Sequence, residues 1–237
     1  MVGKLDAYYN IHCMVKQKHF VYSHFVKHNK PILWIKELWH PTIGYSNSIK
    51  NNLVLGFNHN HRLLTGPNAT GKSTFIKNVL LCILFSQTIG ICPSTKIVMT
   101  PFYYINSYIE VPDKEGYESL YQAEINRCYS LLMDIEKNKR QGHYSFIIMD
   151  EIFNSTNYIE AISAAYAICH YLCKHSSLLS IITTHYGYLT RIEEDTRKRI
   201  KNYKMNLERK ENNIVFNYKI SRGISDDYIA LELLKNK

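Results

Sequence analysis

Nine consecutive residues, Gly66-Pro67-Asn68-Ala69-Thr70-Gly71-Lys72-Ser73-Thr74, constrain this chain more than any other stretch. They fit the spacing G-x-x-x-x-G-K-[ST], and they stand between a short apolar run, Leu63-Leu64, and a helical segment from Phe75 to Phe85. That setting gives the spacing a mechanism. Gly66 and Gly71 permit a tight turn with its N–H groups pointing inward. The positive end of the helix beginning near Lys72 adds to them, so triphosphate oxygens meet preorganised donors. Lys72 reaches the β- and γ-phosphates, the Ser73 hydroxyl is placed for magnesium, and Thr74 is a further donor one residue into the helix. The expected ligands are a nucleoside triphosphate and Mg2+.

A second informative stretch lies downstream. Ser145-Phe146-Ile147-Ile148-Met149 reads as a buried parallel strand, and Asp150-Glu151 follows at its C-terminal end, where an open α/β sheet presents its chemistry. With a phosphate-binding loop upstream, Asp150 is placed to hold magnesium through water and Glu151 to polarise the attacking water. Leu178 to Ile182 reads as another buried strand, ending in Thr183-Thr184-His185, and His185 is placed to sense a γ-phosphate.

The remaining segments fill in an α/β pattern. Lys4 to His28 lacks Pro and contains no Gly, and it reads as a helix or two that Pro31 breaks. Ile32–Ile35, Leu53–Gly56 and Arg62–Thr65 read as strands, the last two joined by a histidine-rich turn. The helix after the glycine-rich loop runs to about Gln87, before Gly90 and Pro93. Lys96–Met99 and Phe102–Val111 are strand-like, and Pro112–Gly116 is a loop. Tyr117–Lys139 and Asn157–Cys173 carry apolar residues at helical spacing, and the runs around Tyr203–Leu207 and Ile214–Ile220 alternate as a hairpin turning near Asn212-Asn213. A last helix is expected from about Asp226. Domain organisation follows: a helical lead-in over residues 1–30 and one α/β domain over residues 31–237.

Charge and cysteines bound the setting. The chain has 237 residues and 29 Lys plus Arg against 20 Asp plus Glu, a formal charge of +9. That balance suits phosphate-bearing partners and suits a solvated basic surface equally. Lys137-Asn138-Lys139-Arg140 and Lys198-Arg199-Ile200-Lys201 are the densest basic runs. Six cysteines without a CxxC pair point to reduced thiols packed in apolar surroundings, hence to an intracellular, soluble protein. No apolar run has the length of a membrane span, and no membrane partner is expected. His59-Asn60-His61 sits among turn residues, without the helical spacing of a metal site.

Five landmarks in order resemble one family, the ATPase domain of the MutS mismatch-repair proteins. His40-Pro41 resembles the family's "RHP". GPNATGKST resembles "GPNMGGKST", including the Pro67-Asn68 pair that the general loop does not require. IIMDEI resembles "VLMDEI", and Thr183-Thr184-His185-Tyr186 resembles "ATHY". Tyr218-Lys219-Ile220 through Gly223, Ser225 and Tyr228 resembles the closing element. The resemblance implies a P-loop NTPase of the ABC type, with a mixed central sheet flanked by helices and an N-terminal helical appendage. It implies ATP and Mg2+, with Asn68, Lys72, Ser73 and Thr74 on the phosphates and metal. Asp150 and Glu151 would be the acidic pair and His185 the switch histidine. Ser119 resembles a serine that reaches across a dimer interface to the partner's ATP, and it can equally serve as a helix N-cap. The implied partners are a homo- or heterodimer through the nucleotide face and, for the full-length assembly, DNA.

One stretch departs from the family. Where it reads "GRGTST-Y-D-G", this chain reads Phe153-Asn154-Ser155-Thr156-Asn157-Tyr158-Ile159-Glu160-Ala161, which removes the glycines' backbone freedom at the expected subunit interface. Two alternatives therefore stand beside a hydrolysing, dimerising ATPase. One is a non-hydrolysing nucleotide-gated interaction module. The other is a different ABC-type DNA-associated ATPase, against which the absence of an LSGGQ-like signature counts. The mismatch-reading and clamp regions of the family have no counterpart in this sequence, which fits either a fragment or a stand-alone relative.

Overall fold

A computed structural model describes residues 2–17, 19–109, 120–210 and 213–225. The Pro112–Gly116 loop, Ser119, the tip of the hairpin at Asn212, Tyr228 and the expected last helix lie outside the described residues.

The chain opens with α1 (Val2–Lys16), which buries none of its side chains. Helix then gives way to strand: β1 (Val21–Tyr22) and β2 (His24–Phe25) replace the second half of the expected helical stretch. The aromatic and β-branched residues of Phe20-Val21-Tyr22 suit extended backbone, and strand edges formed much later in the chain take them up. β3 (Leu33–Leu38), β4 (Asn51–Leu55) and β5 (His61–Thr65) precede the glycine-rich loop and α2 (Lys72–Ile89). Gly90, in the left-handed conformation at φ 76°, stops α2 where an L side chain would be strained. β6 (Ile91–Cys92), β7 (Lys96–Met99), β8 (Tyr104–Tyr108), α3 (Leu120–Arg140), β9 (Ser145–Met149) and α4 (Tyr158–Leu172) follow. Then come β10 (Leu178–Thr184), a 3-10 turn at Gly187–Arg191, α5 (Ile192–Asp195), and the hairpin of β11 (Ile200–Lys210) and β12 (Asn213–Arg222).

The architecture is mixed α/β. Six strands form one sheet in the order β12-β11-β5-β10-β9-β8, parallel throughout except for the β11–β12 hairpin at its edge. A second sheet has the order β2-β7-β3-β4, and β1 pairs with β6. The strands flanking the histidine-rich turn do not pair: β4 joins β3 in the second sheet while β5 enters the first.

Strand alternation divides the interior in two. Phe146 and Ile148 of β9, Leu179 and Ile181 of β10 and Leu64 of β5 face a cluster that includes Phe75, Ile76, Val79 and Ile83 of α2 and Leu33, Ile35 and Leu53 of the second sheet. Their neighbours Ile147, Met149, Leu178, Ile182 and Leu63 face α3 and α4 through Cys128, Ile135, Ala161, Ala165 and Leu172. Strands buried on both faces read as continuous apolar runs for this reason. α2 is thus held between the two sheets, which fixes its N-terminal end over the C-terminal ends of the central strands. Shortening Ile76 or Ile83 to alanine there costs about 2–5 kcal/mol.

Candidate functional site

Three adjacent parallel strands, β5, β10 and β9, end side by side, and the chain leaves them through the glycine-rich loop, Thr183-Thr184-His185 and Asp150-Glu151. In the first loop Gly71 takes φ 91° and precedes α2 as its N-cap, with no side-chain hydrogen bond and no acidic residue in the first helical turn. The helix N-terminus therefore keeps its N–H donors for an external anion. A Cβ on Gly71 would stand 3.0 Å from the Tyr218 ring, and one on Gly66 3.0 Å from Thr70 Oγ1 and 3.3 Å from Met205 Cβ. Both glycines are required by close approach. Thr70 is buried and donates to the Pro67 carbonyl at 2.7 Å, closing the loop on itself.

Lys72 is buried, and its ammonium donates to the carbonyls of Gly66 at 2.8 Å and Pro67 at 3.1 Å. It also lies 3.1 Å from Glu151 Oε1. This ion pair brings the glycine-rich loop and the acidic pair together. Ser73 is half-buried, and Asn68 and Thr74 are exposed toward solvent. Glu151 Oε2 lies 3.9 Å from His185 Nδ1, so the histidine edge completes a row Lys72–Glu151–His185. Ser73 and Asp150 are the chain neighbours of Lys72 and Glu151, and both offer hard oxygen donors of the kind magnesium takes.

The acidic pair is held by residues that the sequence motifs do not point to. Thr183 Oγ1 donates to Asp150 Oδ1 at 2.5 Å and accepts the Glu151 N–H at 3.1 Å. Glu151 and Phe153 have φ 45° and 64°, left-handed values that cost a non-glycine residue about 1 kcal/mol each. Burial of the Phe153 ring, at 0% exposure, holds that turn, as does the Tyr186 hydroxyl, which donates to the Phe153 carbonyl at 3.1 Å. On the other side Glu124 of α3, also buried, accepts from the Asn154 N–H at 3.3 Å and from the Ser155 hydroxyl. Burial, then the charges of Glu124, Glu151 and Tyr158, push the Tyr186 phenol above its ordinary pKa, which keeps it a donor. Asn157 caps α4 through its side chain, which accepts the Glu160 N–H at 3.0 Å.

A cavity of about 300 Å³ opens beside Gly71 and Thr74. His40, Ile43, Ile49, Phe75, Asn78 and Tyr218 are among its lining residues, so the second sheet's connection and the β12 edge both reach the loop. Desolvation holds the His40 imidazole below its usual pKa. Among these, His40 and Tyr218 belong to stretches marked by a motif; the rest come together through tertiary structure. His59 and His61 lie at the other end of β5, away from the glycine-rich loop. Among the described residues no group of three or more His, Cys, Asp or Glu side chains is placed to hold a metal ion, and no helix is long and apolar enough to cross a membrane.

Comparison with known proteins agrees with the landmarks. A family model described as MutS domain V matches residues 62–235. Proteins named DNA mismatch repair protein MutS are 28% identical over 240 residues in Persephonella marina, covering 99% of this chain and 26% of that protein. In Bacillus subtilis the figures are 27% over 231 residues, 95% and 26%. In Finegoldia magna they are 29% over 195 residues, 81% and 22%. The chain spans about a quarter of the length of these relatives.

Proposed function

The chain belongs to the MutS family, and on that premise we propose that it is a magnesium-dependent ATPase unit of the ABC type, its glycine-rich loop a P-loop whose nucleotide drives pairing with a second ATPase unit. Residues 31–237 form the ATPase domain in this reading, and residues 1–30 lead into it. The observation that carries the proposal is the Lys72–Glu151 contact of 3.1 Å, which sets a phosphate-binding lysine against an acidic residue at the end of a parallel strand. Triphosphate oxygens would take over the Lys72 donors now directed at the Gly66 and Pro67 carbonyls, together with the uncapped N–H groups at the start of α2. Asn68 and Thr74, exposed at the loop rim, would add side-chain contacts, and the base and ribose fit the adjoining cavity.

Ser73 and Asp150 would hold magnesium, which when bound neutralises charge on the β- and γ-phosphate oxygens. Released from Lys72, the Glu151 carboxylate would accept a hydrogen bond from the attacking water and orient it. His185, 44% exposed at the site's edge, would donate to the γ-phosphate. Catalysis of this kind is positioning and charge stabilisation, which requires few residues. Ser119 would act across the dimer on the partner's nucleotide. Mismatch repair, with DNA held by the larger assembly, is the process we assign to the whole protein on the strength of its relatives' names.

ATP turnover measured against protein concentration, for the wild type and Glu151→Gln, tests this reading. Turnover per chain that rises with concentration and disappears in the variant is the expected outcome. Absence of magnesium-dependent turnover at every concentration would sink it. The glycine-free turn at Phe153 favours one second reading, a nucleotide-gated interaction module that binds without hydrolysis. That module predicts ATP-dependent self-association unchanged by Glu151→Gln.

A further inference from the structure

Thr183 carries a hydroxyl where the family-like pattern Ala-Thr-His-Tyr has none, since this chain reads Thr183-Thr184-His185-Tyr186. The side chain is fully buried at the C-terminal end of β10, between the other two strands of the site. A threonine hydroxyl has one proton and two lone pairs. Here the proton goes to Asp150 Oδ1 at 2.5 Å, and a lone pair takes the Glu151 N–H at 3.1 Å. One buried atom therefore touches both members of the acidic pair.

We infer that Thr183 is a positioning residue that sets the Asp150 carboxylate and the Glu151 backbone for magnesium-dependent nucleotide binding and turnover. Its bond to Asp150 Oδ1 fixes the carboxylate plane and leaves Oδ2 for a magnesium-bound water. Its bond to the Glu151 N–H holds that residue at φ 45°, a conformation that glutamate does not favour unaided. The turn that follows shows why such a clamp is needed here. The turn after the acidic pair has Phe153 at φ 64° where the family-like pattern has glycine, so its shape must be imposed by contacts rather than tolerated by the backbone. The inference rests on the ATPase reading above.

Thr183→Val keeps the branched shape and strand preference while deleting the hydroxyl, and Thr183→Ser restores it. Each full-length protein is titrated with Mg2+ while binding of a fluorescent ATP analogue is followed by polarisation, with ATP turnover and thermal unfolding measured alongside. Losing a buried hydrogen bond to a charged group should raise the Mg2+ concentration for half-maximal analogue binding about tenfold. It should also lower kcat about tenfold, with KM for ATP at saturating Mg2+ unchanged and Thr183→Ser close to wild type. A Thr183→Val protein with wild-type Mg2+ dependence and kcat overturns the inference while leaving the ATPase reading standing. A lowered melting temperature without a change in Mg2+ dependence overturns it too, since that is the signature of packing alone. Should the wild type neither bind the analogue nor hydrolyse ATP, the ATPase reading fails and this inference falls with it.

Discussion

The glycine-rich loop and the turn after the acidic pair both bend the backbone through left-handed geometry, and they reach it by opposite means. Between β5 and α2, Gly71 takes φ 91° with little conformational penalty, and the neighbouring Tyr218 ring excludes a side chain there. After β9, Glu151 and Phe153 take φ 45° and 64° against the preference of L-residues, and Thr183, Tyr186 and Glu124 hold them. One loop owes its shape mainly to its glycines, with Ala69 at φ 66° between them; the other owes it to partners far away in sequence. A local solution tolerates changes in its surroundings but no change in its glycines, whereas an imposed one should respond to each distant anchor.

The largest expected effect tests whether the imposed turn serves chemistry. Glu151→Gln keeps shape and hydrogen-bonding capacity but removes the charge opposite Lys72, and kcat for ATP should fall about 10²–10⁴-fold with nucleotide binding retained. Single-turnover kinetics with a parallel binding assay separate the two. Next is Phe153→Gly, which sets relief of about 1 kcal/mol of backbone strain against loss of a buried ring worth about 3–5 kcal/mol. Chemical denaturation should show a net loss of about 2–4 kcal/mol. A stabilised variant would break the comparison, because the turn would then need only a glycine.

A group at the opposite end of β5 provides a control. Burial first, then the charges of His175, His59 and Arg199, lower the His61 pKa from 6.5 to about 3, so the imidazole stays neutral in the fold. The unfolded chain binds a proton there below pH 6.5, so stability falls as pH drops from 6.5 toward 3 and is level above. Between pH 6.5 and 4.5 that single histidine accounts for about 2 kcal/mol. His59 is lowered to about 3 as well, so His61→Asn should make this limb shallower by the His61 share in melts across pH, and leave the ATP KM at pH 7.5 unaltered. The smallest effect expected is for Glu124→Gln, which keeps one acceptor for the Asn154 N–H or Ser155 hydroxyl and should destabilise by about 1 kcal/mol. Gly71→Ala, where φ strain adds to the close approach of the Tyr218 ring, should cost about 1–3 kcal/mol.

What was legible in the sequence follows the range of the forces involved. The glycine-rich spacing, the apolar run ending in Asp150-Glu151 and the strand ending at His185 are patterns within a few residues, and the structure places all three side by side. Helix for residues 20–28 failed because pairing of β1 with β6 and of β2 with β7 is settled across some 70 residues of chain, beyond the reach of local propensity. The role of Glu124 was hidden for the same reason. A glutamate within a helical run reads as a solvated position, and only the packing of α3 against the turn makes it an acceptor for Asn154 and Ser155.

Read alone, the sequence was enough to mark the candidate site residues, Lys72, Ser73, Asp150, Glu151 and His185, and to point to the family, because backbone turns, strand burial and residue type are local properties. Tertiary structure alone decided that Thr183 bridges the Asp150 carboxylate and the Glu151 backbone N–H, that the second sheet and β12 close a cavity beside Gly71, and that a turn without glycine still adopts left-handed geometry. Each of these depends on atoms brought together from distant parts of the chain, where packing and hydrogen bonding outweigh the conformational preference of any single residue.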